Sequence, residues 1–188
     1  MAKKTEKKPD EGYRRLKQDL SQGALGSLYI FHGEEAYLRD YYLEQMKSKL
    51  IPAGLESFNY PQLPGKGLTV RRLAEVLDAL PMMSPRTLVV VTDYDLFKAP
   101  EEERTLMTAL LEDLPEYGCL VFLYDTLAYK GDARMKKLTA AIQAHGQVVS
   151  FARQSQSDLV DWIGRRFRPW AMTSTPPTPS TSSSSAAT

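Results

Sequence analysis

The sequence predicts an α/β protein: a mostly parallel, five-stranded sheet in a three-layer arrangement, with helices on both faces. Two runs carry much of that prediction. "TLVVVT" (87–92) and "CLVFL" (119–123) are continuously apolar, as strands buried on both sides must be. The segments between the apolar runs place apolar residues at i, i+3 and i+4, the spacing of helices that lay one face on a sheet. Strand and helix alternate along the chain, an order that implies parallel strands joined by helical crossovers.

Residues 1–12 are charged and are expected to be disordered. A short helix is expected over 13–21, ended by Gly23. "SLYIFHG" (27–33) reads as a strand stopping at Gly33. "EEAYLRDYYLEQMKSKL" (34–50) reads as an amphipathic helix on Tyr37, Leu38, Tyr41, Tyr42, Gln45 and Met46. Its acidic start suits the positive end of the helix dipole. "SFNY" (57–60) is expected as a short strand and "PQLPGKGLT" (61–69) as a loop, because Pro and Gly interrupt it. "VRRLAEVLDAL" (70–80) is helical, with Val70, Leu73, Ala74, Leu77 and Leu80 on one face. After the strand at 87, a helix begins at Pro100 and Glu101–Glu103 and ends before Pro115 and Gly118. "CLVFLYD" is a strand, "DARMKKLTAAIQAHG" a helix, "QVVSF" a strand, and "SQSDLVDWIGRRF" a helix with Ser157 as N-cap.

Composition narrows the function classes. Of 188 residues, 43 % are hydrophobic and 25 % charged, the balance of a soluble globular domain. A net charge of +1 gives no general attraction to nucleic acid or membrane. The lone cysteine, Cys119, cannot form an internal disulfide, which favours the reducing cytoplasm. The basic start lacks the apolar stretch of a signal peptide, and no run reaches the roughly 20 apolar residues of a membrane helix.

In folds of this class ligands sit at the carboxyl ends of the strands. A phosphate cradle there needs glycines, a lysine and a Ser or Thr for Mg²⁺. The turn after the first strand is "HGEEAYLRD" instead: one glycine, then Glu34 and Glu35, which repel phosphate. Asp93 and Asp95 follow the third strand, where an acid could hold Mg²⁺; without a phosphate loop, turn formation and capping is the favoured role. His32 and His145 with one cysteine match no metal spacing. Cys119 reads as a small core residue. Lys130, Arg134, Lys136 and Lys137 form a basic cluster whose default reading is a solvated face. No nucleophile–base arrangement has a recognisable context, so the residues suggest no enzyme, no cofactor and no metal. The rival within this fold is a P-loop-type ATPase with a degenerate phosphate site, and the plain alternative is a scaffold domain.

Four blocks carry a resemblance: "LYIFHGEEAYLRDYYLEQM", "ALPMMSPRTLVVVTDYDLF", "CLVFLYDTLAYKGDARMKKL" and "GQVVSFARQSQSDLVDWI". In this order they resemble the first domain of the delta subunit of bacterial DNA polymerase III, a part of the clamp loader. The resemblance covers residues 13–168 and implies an AAA+-like fold without a functional P-loop. It implies a non-catalytic subunit in DNA replication that binds and helps open the beta sliding clamp. The implied partners are that clamp, the other loader subunits, and DNA indirectly through the complex, with no membrane.

The segment "ALPMMSPR" sets three flexible apolar side chains among prolines. Sequence alone leaves two readings open: Met82 and Met83 cap the core beneath the next strand, or they face a partner. The family resemblance implies the second, with Leu80, Pro81, Met82 and Met83 as a clamp-binding plug stiffened by Pro81 and Pro85. Prolines reduce the entropy lost on binding, and methionine adapts to an irregular pocket.

After Arg168 the family continues into a helical lid and a collar. Here residues 169–188 carry no charge, and fifteen of the twenty are Ser, Thr or Pro. The expectation is a disordered low-complexity tail, either a linker or tag remnant or the product of a frameshift that replaces the lid and collar. One choice of codons gives the neighbouring frame an amphipathic helical start, which favours the frameshift.

Overall fold

In chain order the elements are α1 (Glu11–Gln22), β1 (Leu28–His32), α2 (Ala36–Leu50), α3 (Glu56–Asn59), β2 (Gln62–Pro64), α4 (Val70–Asp78), β3 (Thr87–Thr92), α5 (Glu101–Glu112), β4 (Gly118–Leu123), α6 (Lys136–His145) and β5 (Gly146–Ser150). They come from a computed structural model that describes residues 11–132 and 134–152. The expected helix at 157–167 and the expected tail at 169–188 lie outside the described residues.

The sheet has five strands in the order β2-β3-β4-β1-β5, and every pair is parallel. Its centre is set by the apolar runs: Val89 lies beside Leu120, and Leu28 lies beside both Leu120 and Gly146. Side chains alternate between the faces. Leu28, Ile30, Val89, Val91, Leu120 and Phe122 share one core with buried residues of α4, α5 and α6. Tyr29, Phe31, Val90 and Val121 are buried on the other face. There Phe31 and Phe151 meet edge to face at 5.0 Å, and Tyr13 of α1 meets Tyr42 of α2 at 5.3 Å. The three-layer α/β expectation holds.

Several local expectations need correction. "SFNY" forms the single turn α3 rather than a strand, with Asn59 and Phe58 donating to the Leu55 carbonyl at 3.1 and 3.2 Å. The strand lies instead in the expected loop, where Gln62, Leu63 and Pro64 pair with Val90, Val91 and Thr92. It is an edge strand, so Pro64 is tolerated and no apolar run is needed. Residues Glu11 and Gly12, expected to be disordered, belong to α1. Glu34 and Glu35 precede α2 rather than filling its first turn, which holds no acid.

Helix α4 also stops at Asp78, two residues before the expected end. Ala79 is extended, and Pro81 disfavours helical backbone at Leu80. The start of α4 is fixed twice: Thr69 accepts from Arg72 N–H, and Glu103 of α5 accepts from Val70 N–H at 2.8 Å.

Gly33 terminates β1 with φ +125°, and a Cβ there would lie 2.4 Å from the Phe151 carbonyl oxygen. Gly54 has φ +85° but faces open space. Gly54→Ala should therefore cost only backbone strain, about 1 kcal/mol, whereas Gly33→Ala adds a clash with main chain, for a total of about 3 kcal/mol or more. Urea unfolding of the two variants checks this; equal losses would mean that Phe151 does not press on this turn.

Candidate functional site

Two regions compete for the functional role: the carboxyl edge of the sheet, and the link between α4 and β3.

At the carboxyl edge, the turn after β1 is closed by the chain leaving β5. Phe151 N–H donates to the His32 carbonyl at 2.7 Å, and Glu35 N–H donates to the Phe151 carbonyl at 3.0 Å. Main chain thus lies against the turn where a phosphate loop would cradle its ligand. Arg39 of α2, only 3 % exposed, reaches the end of β4. Its guanidinium donates to the Tyr124 carbonyl at 2.8 Å and forms an ion pair with the Asp125 carboxylate.

Asp93, at the end of β3, has φ 57° and points its carboxylate at the same β4 end. It accepts from Asp125, Thr126 and Leu127 N–H at 2.9, 3.0 and 3.0 Å, and from the Thr126 hydroxyl at 2.6 Å. Desolvation alone would raise the Asp93 carboxyl. The Thr126 hydroxyl and the amides of Leu127, Asp125 and Thr126 outweigh it and hold the group below the ordinary aspartate value. Asp95 accepts from the N–H groups of Phe97 and Lys98 and pairs with the Lys98 ammonium at 3.0 Å. Both acids serve turns and caps. Lys66 and Gly65 border an open depression of about 560 Å³ beside them.

The remaining sequence candidates are dispersed. The His32 ring lies tilted against that of Tyr129, with centroids 5.0 Å apart, while His145 is exposed at the end of α6. Cys119 is sealed in β4, and burial pushes its thiol up to about 12. Lys130, Arg134, Lys136 and Lys137 are exposed, and Arg134 pairs with Asp132. No group of His, Cys, Asp and Glu among the described residues is placed to hold a metal ion. No helix among them is long and apolar enough to cross a membrane.

The α4–β3 link, residues 79–86, presents its apolar side chains to solvent. Leu80 is 79 % exposed, Met82 51 % and Met83 84 %, while Pro81 is half-buried. Neither methionine is buried in the core. Met83 has φ 51°, a left-handed conformation that costs a non-glycine residue about 1–2 kcal/mol. The backbone around it is held firmly enough to maintain it. At the near end the Tyr117 hydroxyl donates to the Asp78 carbonyl at 3.1 Å. In the middle, Asn59 accepts from Met82 N–H at 2.8 Å and donates to the Met82 carbonyl at 2.9 Å. At the far end Arg86 donates to the carbonyls of Leu25, Gly26 and Gly118. The Ser84 hydroxyl also reaches the Arg86 carbonyl at 2.9 Å. Next to Asn59, Phe58 is 59 % exposed.

Sequence reasoning found the exposed residues of this link but missed Asn59, Phe58 and Arg86. Asn59 lies 23 positions from Met82, and no periodicity couples the two.

The sequence profile described as "DNA polymerase III, delta subunit" matches residues 29–152, about two thirds of the chain. The chain belongs to this family. Among solved structures, this delta-family chain is similar to the "Bacillus subtilis DNA clamp loader delta protein (YqeN)" with TM-score 0.66 at 19 % identity. The match covers 84 % of this chain and 48 % of that one, so the chain spans about half the length of the Bacillus subtilis protein. A DNA polymerase III gamma subunit-related protein from Thermotoga maritima matches with TM-score 0.49 at 16 % identity, over 84 % of this chain and 52 % of that one. No curated protein sequence matches significantly.

Because the folded-state Asp93 carboxyl lies below its usual 3.8, its contribution to stability is complete above that value and is lost as pH falls through the lower one. Asp93→Asn should destabilise the domain by about 1–2 kcal/mol at neutral pH and progressively less in acid. Unfolding midpoints between neutral pH and about pH 3 check this. A loss independent of pH would remove the carboxylate from the account.

Proposed function

We propose that this delta-family chain is the clamp-binding part of a clamp-loader delta subunit, acting in DNA replication and hydrolysing no ATP itself. Leu80, Met82 and Met83, with Pro81, form an apolar plug that enters a hydrophobic pocket on the beta sliding clamp. The observation that carries this reading is the exposure of three large apolar side chains on a link whose backbone is fixed at three places. Such side chains contribute roughly 1.5–3 kcal/mol each when fully buried, before the costs of association. A backbone already fixed loses little entropy on docking.

The action is mechanical. A subunit that binds the open or distorted ring better than the closed ring shifts the ring equilibrium by that difference in affinity. The other loader subunits, present in full-length assemblies, supply ATP binding and hydrolysis. DNA is contacted through the assembled complex, and the working compartment is the cytoplasm. The turn after β1, where a phosphate loop would lie, is engaged by the main chain of Phe151, and this supports the separation of this subunit from nucleotide chemistry.

Met82→Ala combined with Met83→Ala tests the reading. Clamp affinity should fall about thirtyfold, about 2 kcal/mol, with the melting temperature nearly unchanged. Loss of stability with undiminished affinity per folded molecule would return both methionines to a structural role. A parallel titration with Mg-ATP should give no saturable binding; ATP hydrolysis abolished by Asp93→Asn would establish the ATPase instead.

A further inference from the structure

We propose that Asn59 is a positioning residue for the plug, setting the backbone of Met82 and Met83 before any partner arrives; this rests on the clamp-binding reading above.

Asn59 is fully buried, so it cannot itself form part of a docking surface. All of its principal hydrogen-bonding capacity is nevertheless directed at two segments. Its carboxamide oxygen accepts from Met82 N–H at 2.8 Å. Its NH₂ group donates to the Met82 carbonyl at 2.9 Å and to the Leu55 carbonyl at 3.1 Å. The orientation of the amide follows from its partners, because Met82 N–H can only donate and its carbonyl can only accept. The pair of bonds to one residue reproduces what a neighbouring strand would supply. Residues 79–86 have no such strand, so Asn59 stands in for it.

The consequence falls on Met83. A left-handed methionine, φ 51°, relaxes readily in a free loop, and the bonds on the preceding residue restrict that relaxation. Met83 is also the most exposed of the three plug side chains, at 84 %. Without Asn59 the loop samples several conformations, of which one fits the partner. Apparent affinity then falls by the competent fraction, and the fall appears in the association rate. Loss of a contact residue behaves differently and raises the dissociation rate.

The test measures both rates for the 188-residue chain binding to the isolated clamp, with all values expressed per folded molecule. Asn59→Ala should reduce association about tenfold with dissociation unchanged, while Met83→Ala should mainly accelerate dissociation. Asn59→Asp keeps the acceptor for Met82 N–H but sets a lone pair against the Met82 carbonyl, and should also slow association. Hydrogen exchange on the unaltered chain supplies a measurement that no folding defect can confuse: the Met82 amide should be protected although the link is exposed. An unprotected Met82 amide, or Asn59 variants with unchanged association, would overturn the proposal. Complete failure of the unaltered chain to bind the clamp would overturn the clamp reading and this one with it. That result is distinguishable, since protection of the Met82 amide would persist.

Discussion

The carboxyl edge of the sheet depends on one buried charge. Burying a guanidinium costs several kcal/mol unless acceptors meet it, and Arg39 is almost wholly buried. Its partners, the Tyr124 carbonyl and the Asp125 carboxylate, lie just beyond β4, so helix α2 is tied to that strand's end. Once Asp125 is fixed, its own N–H and those of Thr126 and Leu127 converge on one point, where Asp93 places its carboxylate. The ends of β3 and β4 are thereby joined by charge and by backbone. Phe151 completes the edge from the β5 side by bonding to the turn after β1. At this edge, where folds of this class hold their ligands, the joints lie beside the open depression bordered by Gly65 and Lys66.

That construction leaves the domain with a division of labour between its two ends. The carboxyl edge is polar and internally bonded. The α4–β3 link lies at the amino-terminal side of β3, and there the exposed apolar groups gather. Such groups are ordinarily kept inside, and the proposed function assigns this exposed cluster to a surface that meets another protein. The rigidity comes from outside the link, through Tyr117, Asn59 and Arg86.

How far the sequence could be read depended on the range of the interaction. The runs at 87–92 and 119–123 identified central strands because burial on both faces demands an unbroken apolar stretch. The helices were legible from their periodicity, and Leu80, Met82 and Met83 stood out because apolar residues sat among prolines. Strand β2 was misread for the opposite reason. Three residues at a sheet edge, bracketed by prolines, bury too little to leave a pattern. The segment "SFNY", read as a strand, is a turn of helix that delivers Asn59 to Met82. Arg39 was hidden in an apparently amphipathic helix, since its partners come 85 and 86 residues later. Local pattern shows what an element is, and only the assembled fold shows which polar side chain holds which loop.

The sealed thiol of Cys119 has a practical consequence. It is the only sulfhydryl in the sequence, it sits in the central strand β4, and thiol reagents act on accessible thiolates. Reagents such as maleimides therefore have no native target on the folded chain. A cysteine introduced on the solvent-facing link, as in Met83→Cys, becomes the single point at which a dye or spin label attaches. The fold thus comes ready for single-site labelling, with no need to remove its own cysteine and disturb the packing of the sheet.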